Sequence, residues 1–325
     1  MAGRRQKKSG GRSYAWRYRG RIVACVFVEV IIICALVIMI GWNKGVKEWF
    51  EQFEQPVLKE VDISGINSPN AILMQARGGK ILGEINGEAQ IYPASMTKIM
   101  TVILGIENFD DLDEKITLTD EMFAGLHEQD ATQAGFQPGE EVRVIDLLYG
   151  AMLPSGAECC IALADTISGS EADFAELMNK KARKLGMENT HFCDSTGLHN
   201  PDHYSTVKDI AVLMKYCIKN DTFREIVETS RHSTGVTNIH PDGITYYSTM
   251  FKNLSDPTVT GGKILGGKTG YTSEAGHCLV SFAEIEGREY IFVSAGASGA
   301  DGNTIPHIQD AVTVYNRVGA AIERS

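Results

Sequence analysis

A serine and a lysine stand three residues apart in "IYPASMTKIMT", residues 91 to 101. Pro93 suits a first helical turn, and the run after it is mostly apolar. On a helix this spacing puts Lys98 one turn from Ser95, on the same face. A serine hydroxyl is a poor nucleophile at its free pKa and needs an adjacent base. A lysine can be that base only if burial or a second cation destabilises its ammonium. Ile99 and Val102 supply an apolar setting, so Ser95 and Lys98 form a candidate nucleophile and base. About one S-x-x-K is expected by chance in a chain this long. A second one, Ser205 and Lys208 in "STVK", has a structural explanation. Thr206 and Asp209 read as a capping box ahead of "IAVLMKYCI", which leaves Lys208 in an exposed first turn.

Two other patterns invite chemistry and are set aside. "GKILGGKT", residues 262 to 269, satisfies the phosphate-cradling G-x-x-x-x-G-K-[ST] pattern. That loop works only with a helix after it, whose N-terminus holds the phosphates. Here "GYTSEAGHCLVSF" follows, rich in glycine and β-formers. His199 and His203 have the i, i+4 spacing of a metal pair, with Asp202 between them. Such pairs act from one helix face, whereas Gly197 and Pro201 mark a loop, and no third ligand is evident. No metal and no cofactor is expected.

Three features remain, in order: Ser95-x-x-Lys98, then Ser155-Gly156 at a helix entry after "AMLP", then Lys268-Thr269-Gly270 on a late strand. The order is that of the S-x-x-K, S-x-N and K-T-G set of serine acyl-transferring, penicillin-recognising enzymes. With the longer strings "YPASMTKIMT", "GLHNPDHYST" and "GGKTGYTSEAGHCLVS", the chain from about residue 60 to 325 resembles the D-alanyl-D-alanine carboxypeptidases, the low-molecular-mass penicillin-binding proteins. The resemblance implies a penicillin-binding protein/β-lactamase-like transpeptidase fold, an antiparallel sheet with a mainly helical subdomain. It also implies the roles. Ser95 would attack the D-alanyl-D-alanine bond of a peptidoglycan stem peptide, Lys98 would take its proton, and Ser155 would relay a proton to the leaving D-alanine. Lys268 and Thr269 would bind the terminal carboxylate, and the N–H groups of Ser95 and Tyr271 would form the oxyanion hole. Gly266, Gly267 and Gly270 would let the strand approach the ligand. β-Lactam antibiotics would be covalent inhibitors.

The third position of the middle motif departs from the pattern: Ala157 stands where Asn is usual. That motivates one rival, a non-catalytic wall-binding module with a decayed site. The other rival, a class A-like β-lactamase, needs a loop glutamate, and the best match, Glu176 with Asn179 in "FAELMNKK", falls inside an amphipathic helix pattern. Many relatives carry a C-terminal β-rich domain and an amphipathic tail anchor. The chain ends before either, and an N-terminal anchor is expected to take over the tethering.

The elements that must position these residues are legible in outline. "AILMQAR" and "KILGEIN" read as strands joined across Gly78 and Gly79. Residues 120 to 220 read as mainly helical, in "VRVIDLLYGAML", "AECCIALADTI" and "EADFAELMNKKARKLG", the last capped by Gly186. "DSTGLHNPDHYST" is a loop by composition. From about residue 260, "HCLVSFAEIEGREYIFVSAGA" reads as two strands around a Glu286-Gly287 turn, and "PHIQDAVTVYNRVGAAIE" as a closing helix. Strands at both ends with helices between them predict one α+β domain.

Charge and hydropathy place that domain. The net charge is −10, but residues 1–21 carry eight Lys and Arg and no acid, leaving 23 basic residues against 41 acidic ones, a net of −18. So acidic a domain is a poor candidate for nucleic acid. "IVACVFVEVIIICALVIMIG", residues 22–41, is long enough to span a hydrocarbon core of roughly 30 Å, with Glu29 as its single ionisable group. It exceeds a signal-peptide core and lacks an A-x-A-like site. The expected organisation is a basic cytoplasmic head (1–21), a transmembrane signal anchor (22–41), a juxtamembrane helix and linker (42–66) and the catalytic domain (67–325), outside the cell membrane on the cell-wall side. Cys159, Cys160, Cys193, Cys217 and Cys278 are odd in number and mostly in apolar settings, so buried free thiols are expected.

Overall fold

The computed structural model describes residues 58–254, 256–299 and 305–324. They belong to a compact unit of residues 58–325, distinct from residues 1–57. The expected head, membrane anchor and juxtamembrane helix, residues 1–55, lie outside the described residues. Among the described residues no helix is long and apolar enough to cross a membrane.

A six-stranded antiparallel sheet organises the unit. Its strands are β1 (Asn70–Gln75), β2 (Ile81–Ile85), β7 (Thr258–Val259), β8 (Gly262–Thr272), β9 (Gly276–Ile285) and β10 (Arg288–Ala297), in the order β2-β1-β10-β9-β8-β7. The β1–β2 connection turns at Gly78 and Gly79, and the β9–β10 connection at Glu286 and Gly287, all with positive φ. The N-terminal strands thus pair with the C-terminal ones, Ile72 opposite Val293, as the sequence pattern predicts.

Both faces of the sheet are covered, so its alternation sorts residues between two cores rather than between core and water. Leu73, Leu279, Ala283, Tyr290 and Phe292 face a core closed by the last helix, α8 (Pro306–Glu323), through Val314, Tyr315 and Val318. Leu58, Val61 and Ile63 join this core, and Val61 N–H donates to Leu82 O at 2.7 Å. Ile72, Met74, Val280, Phe282, Ile291 and Val293 face the helical side.

That side is built around α1 (Lys98–Asn108), in which every residue from Lys98 to Gly105 is buried. Around it lie α2 (Val144–Met152), α3 (Ala157–Ser168), α4 (Glu171–Leu185), α5 (Val207–Cys217) and α6 (Asp221–Glu228). A methyl at Gly105 would stand 2.7 Å from Leu148 Cδ2, so glycine lets α1 and α2 touch. Gly186 ends α4 in the left-handed conformation as expected. Thr206 caps α5 through Asp209 N–H, but the Asp209 carboxylate turns instead to Asn189 N and Thr190 Oγ1, so only half the expected capping box forms.

The helical reading of residues 120–143 is corrected. This stretch holds a 3-10 turn (Asp120–Phe123), loops and β4 (Glu141–Arg143), which pairs with β3 (Lys115–Thr117). Gly125, Gly135 and Gly139 all take positive φ there, which breaks any helix. A hairpin of β5 (Arg231–Ser233) and β6 (Thr245–Tyr247) and the short α7 (Thr249–Asn253) complete the unit.

Candidate active site

The turn that carries Ser95 is tighter than the helix expected there. Ala94–Thr97 form a 3-10 turn, and the α-helix begins at Lys98. In a 3-10 turn residues i and i+3 eclipse, which aligns Ser95 and Lys98 more closely than an α-helix would. Lys98 Nζ stands 3.0 Å from Ser95 Oγ and donates to the Thr196 carbonyl at 2.7 Å. Lys98 is 3% exposed, enclosed by the apolar side of its own helix.

Ser155 arrives from the α2–α3 connection, and its Oγ donates to Ser95 Oγ at 3.0 Å. It sits at φ +75°, a left-handed conformation costing a non-glycine residue about 1–2 kcal/mol. The strain is held by backbone bonds from the two residues that follow it, Gly156 N–H to Gly150 O and Ala157 N–H to Thr132 O, each 2.8 Å. Ala157 is buried and adds no polar atom to the cleft. Next to it, fully buried Glu158 accepts from Ala134 N–H at 2.6 Å and Gly135 N–H at 2.9 Å. It thereby fastens the loop that brings Asp130 and Thr132 to the cleft wall. Burial raises the Glu158 pKa against those same donors.

Strand β8 supplies the third side. β7 covers only Gly262 and Lys263, so the rest of that edge is open toward the Ser95 turn. A methyl at Gly270 would lie 3.0 Å from Ser95 N, so strand and turn meet backbone to backbone there. Gly266 and Gly267 do other work than expected: methyls there would meet Val227 O and Val280 O, each at 2.4 Å, so these glycines serve packing against α6 and β9. Thr269 Oγ1 lies 2.7 Å from Thr249 Oγ1 of α7. Ser95, Ser155, Thr249, Thr269, Tyr271 and His277 line one cleft of about 450 Å³.

Lys268 is not among the lining residues. Strand alternation turns it under the floor, 1% exposed, with Nζ donating to Thr269 O at 3.0 Å. Burial, and then the nearby Lys98 charge, bring its pKa from 10.5 down to about 7. All seven expected site residues therefore gather at one place, five lining the cleft and Lys98 and Lys268 buried beneath its surface.

The set-aside patterns fall elsewhere. Residues 262–269 lie within β8, with no helix after them. His203 is buried against Thr97, whereas His199 packs edge-on to Tyr92. Glu176 faces a separate groove with Asn108, Lys180 and Arg183. All five cysteines among the described residues are free, four of them buried and Cys193 half-buried. Sequence reasoning missed the carbonyl of Thr196, Thr249 and His277, whose ring lies 4.7 Å from that of the expected Tyr271. The stretches "DSTGLHNPDHYST" and "GGKTGYTSEAGHCLVS" were the available signals for Thr196 and His277; nothing local marked Thr249.

A profile of D-alanyl-D-alanine carboxypeptidases matches residues 57–299. The D-alanyl-D-alanine carboxypeptidase DacF of Bacillus subtilis is 35% identical over 231 residues, covering 70% of this chain and 57% of its own length. DacC of Escherichia coli, a D-alanyl-D-alanine carboxypeptidase, is 33% identical over 262 residues, covering 73% of this chain and 58% of its own. The chain thus spans under three fifths of these two relatives. A variant of the Streptomyces K15 DD-transpeptidase matches with a TM-score of 0.71 at 30% identity, covering 78% of this chain and 98% of that one. The carboxypeptidase structure from Mycobacterium tuberculosis shares the fold at a TM-score of 0.70 and 22% identity. The chain has the penicillin-binding DD-peptidase fold and belongs to the D-alanyl-D-alanine carboxypeptidase family.

Proposed function

We propose that the protein is a membrane-anchored, penicillin-sensitive serine D-alanyl-D-alanine carboxypeptidase that trims stem peptides on the outer side of the membrane. The observation that carries this reading is Ser95 Oγ held at 3.0 Å from both Lys98 Nζ and Ser155 Oγ, on the wall of a cleft whose opposite side is the open edge of β8. An extended peptide can add to such an edge as one more strand.

In this mechanism Ser95 Oγ attacks the carbonyl carbon of the penultimate D-alanine while Lys98 Nζ takes the hydroxyl proton. Burial, and then the nearby Lys98 charge, lower the Lys268 pKa to about 7, the direction that crowding of cations at this place imposes. The lysine beside the hydroxyl is Lys98. The N–H groups of Ser95 and Tyr271 hold the developing oxyanion, a donor type worth roughly 3–4 kcal/mol in the transition state. The C–N bond then breaks, and Ser155 passes the proton to the amine of the departing D-alanine. Thr269, with Thr249 beside it, receives the substrate carboxylate, and the Lys268 charge supports it from beneath. Water hydrolyses the Ser95 ester to the shortened peptide acid and restores the hydroxyl. Residues 22–41 supply the anchor.

Intact-protein mass spectrometry with benzylpenicillin tests the reading. We expect a covalent adduct that is lost in Ser95→Ala, and release of D-alanine from a pentapeptide. An unmodified wild-type protein would establish the wall-binding module instead. Rapid turnover of a chromogenic cephalosporin would establish the β-lactamase, which Glu176 in its separate groove disfavours.

A further inference from the structure

The loop after α4 closes a ring of hydrogen bonds around the Ser95–Lys98 pair. Asp194 is its hub. Its Oδ1 accepts from Thr196 N–H, Thr196 Oγ1 and Gly197 N–H, each at 2.7 Å. Its Oδ2 faces His203 Nδ1 at 3.2 Å, a position that the Cys193 N–H also approaches at 3.2 Å. The other ring nitrogen, Nε2, lies 2.9 Å from Thr97 Oγ1, in the very turn that holds Ser95. The Thr196 carbonyl in turn accepts from Lys98 Nζ at 2.7 Å. Neighbouring bonds stiffen the loop: Ser195 O accepts from Thr101 Oγ1, and Ser195 N–H and Oγ donate to the Glu171 carboxylate.

Hydroxyl, imidazole and carboxylate follow one another here as in a nucleophile triad. No substrate can use it, because Thr97 is fully buried and His203 is 2% exposed. The network's open end is instead the carbonyl that holds Lys98. Lysine has a flexible four-carbon stem and three donors, so its Nζ goes where its acceptors are.

We propose that Asp194 and His203 are positioning residues: the carboxylate sets the Thr196 carbonyl, and the imidazole ties that loop to the Ser95 turn, so that Lys98 Nζ is held at bonding distance from Ser95 Oγ. Burial works against ionising Asp194, yet the His203 bond and charge and the Thr196 and Gly197 donors outweigh it and hold its carboxyl at about 2. Glycine at 197 belongs to the same device. A methyl there would fall 1.9 Å from Ala94 O, so the loop and the turn are in backbone contact. None of the cleft-lining residues comes from 194–203. Losing the strut should therefore slow reaction of Ser95 without weakening the preceding non-covalent binding.

The inference rests on Ser95 being the acylated residue, and benzylpenicillin acylation of the full-length protein tests both at once, with the non-covalent dissociation constant and the first-order acylation constant measured separately. His203→Ala should lower the acylation constant about 100-fold, the scale of a 1 Å misplacement, with the dissociation constant within about 2-fold. His203→Gln, which can still place an N–H against Thr97, should recover about ten-fold of that loss, and His203→Phe should not. Asp194→Asn should follow His203→Ala. Wild-type acylation in His203→Ala overturns the proposal. So does rescue by Phe equal to that by Gln, or a rise in the dissociation constant that parallels the fall in the acylation constant and the melting temperature, since either marks packing alone. If His203→Ala does not fold, the Gln–Phe pair decides. A wild-type protein that forms no adduct removes the carboxypeptidase reading, and this inference with it.

Discussion

Replacing Lys268 by methionine should make the protein more stable and less active. The ammonium is 1% exposed, and burial together with the Lys98 charge lowers its pKa from 10.5 to about 7. At 1.36 kcal/mol per unit, keeping it charged in the folded state costs about 5 kcal/mol. Methionine has a similar unbranched reach and fills the same space without the charge. It forfeits the bond to Thr269 O, leaving a buried carbonyl short of a partner, at a cost of about 2 kcal/mol. The net expectation at pH 6 is a gain of about 3 kcal/mol. The sign with pH follows from proton counting. Between about pH 7 and 10.5 the unfolded chain holds a proton on Lys268 that the folded protein has lost, so wild-type stability rises with pH across that window. The methionine variant lacks this rise, and its advantage should shrink by about 1.4 kcal/mol per pH unit above 7, nearly vanishing by pH 9. Denaturant unfolding of the full-length protein at pH 6 and pH 9 measures both values, and benzylpenicillin acylation of the same samples should be severely slowed. A variant less stable than wild type at pH 6, or an advantage equal at the two pH values, would refute the picture of a crowded, desolvated cation beneath the cleft.

Gly197→Ala should be far more damaging than its chemistry suggests. Its Cβ would meet Ala94 O at 1.9 Å from a residue at φ +78°, so acylation should fall about 100-fold and the melting temperature should drop. Leu163→Ala, at a fully buried position between α3 and α1, should cost about 2–5 kcal/mol in denaturant unfolding. Asp194, depressed to about 2, contributes stability that is complete above about pH 4 and lost as pH falls through 2. Asp194→Asn should accordingly lose less stability than wild type between pH 4 and pH 2, read by acid unfolding.

Much of this site was readable from short strings. Ser95, Lys98, Ser155 and the Lys268–Tyr271 stretch each lie on one local element whose type its own residues dictate, and spacing along a turn or strand decides which way they face. The hairpins at Gly78–Gly79 and Glu286–Gly287 and the helix cap at Gly186 were legible for the same reason: they need a backbone conformation that few residues allow. Residues 120–143 were not, because their apolar positions pack against elements distant in the chain rather than repeating along a helix.

What neighbouring residues could not decide was every contact made at long range. The left-handed Ser155 is sustained by bonds to Gly150 and Thr132, and the Lys98 ammonium is aimed by a carbonyl 98 residues away. Strand alternation turns Lys268 under the floor, but its near-complete burial and its neighbour Lys98 come from the packed fold. Local pattern selects side-chain types and facing, since those depend on dihedral angles a few residues apart. Burial, strain and the proton occupancy of a buried cation depend on what the fold brings next to them, and only the assembled sheet and helices supply that.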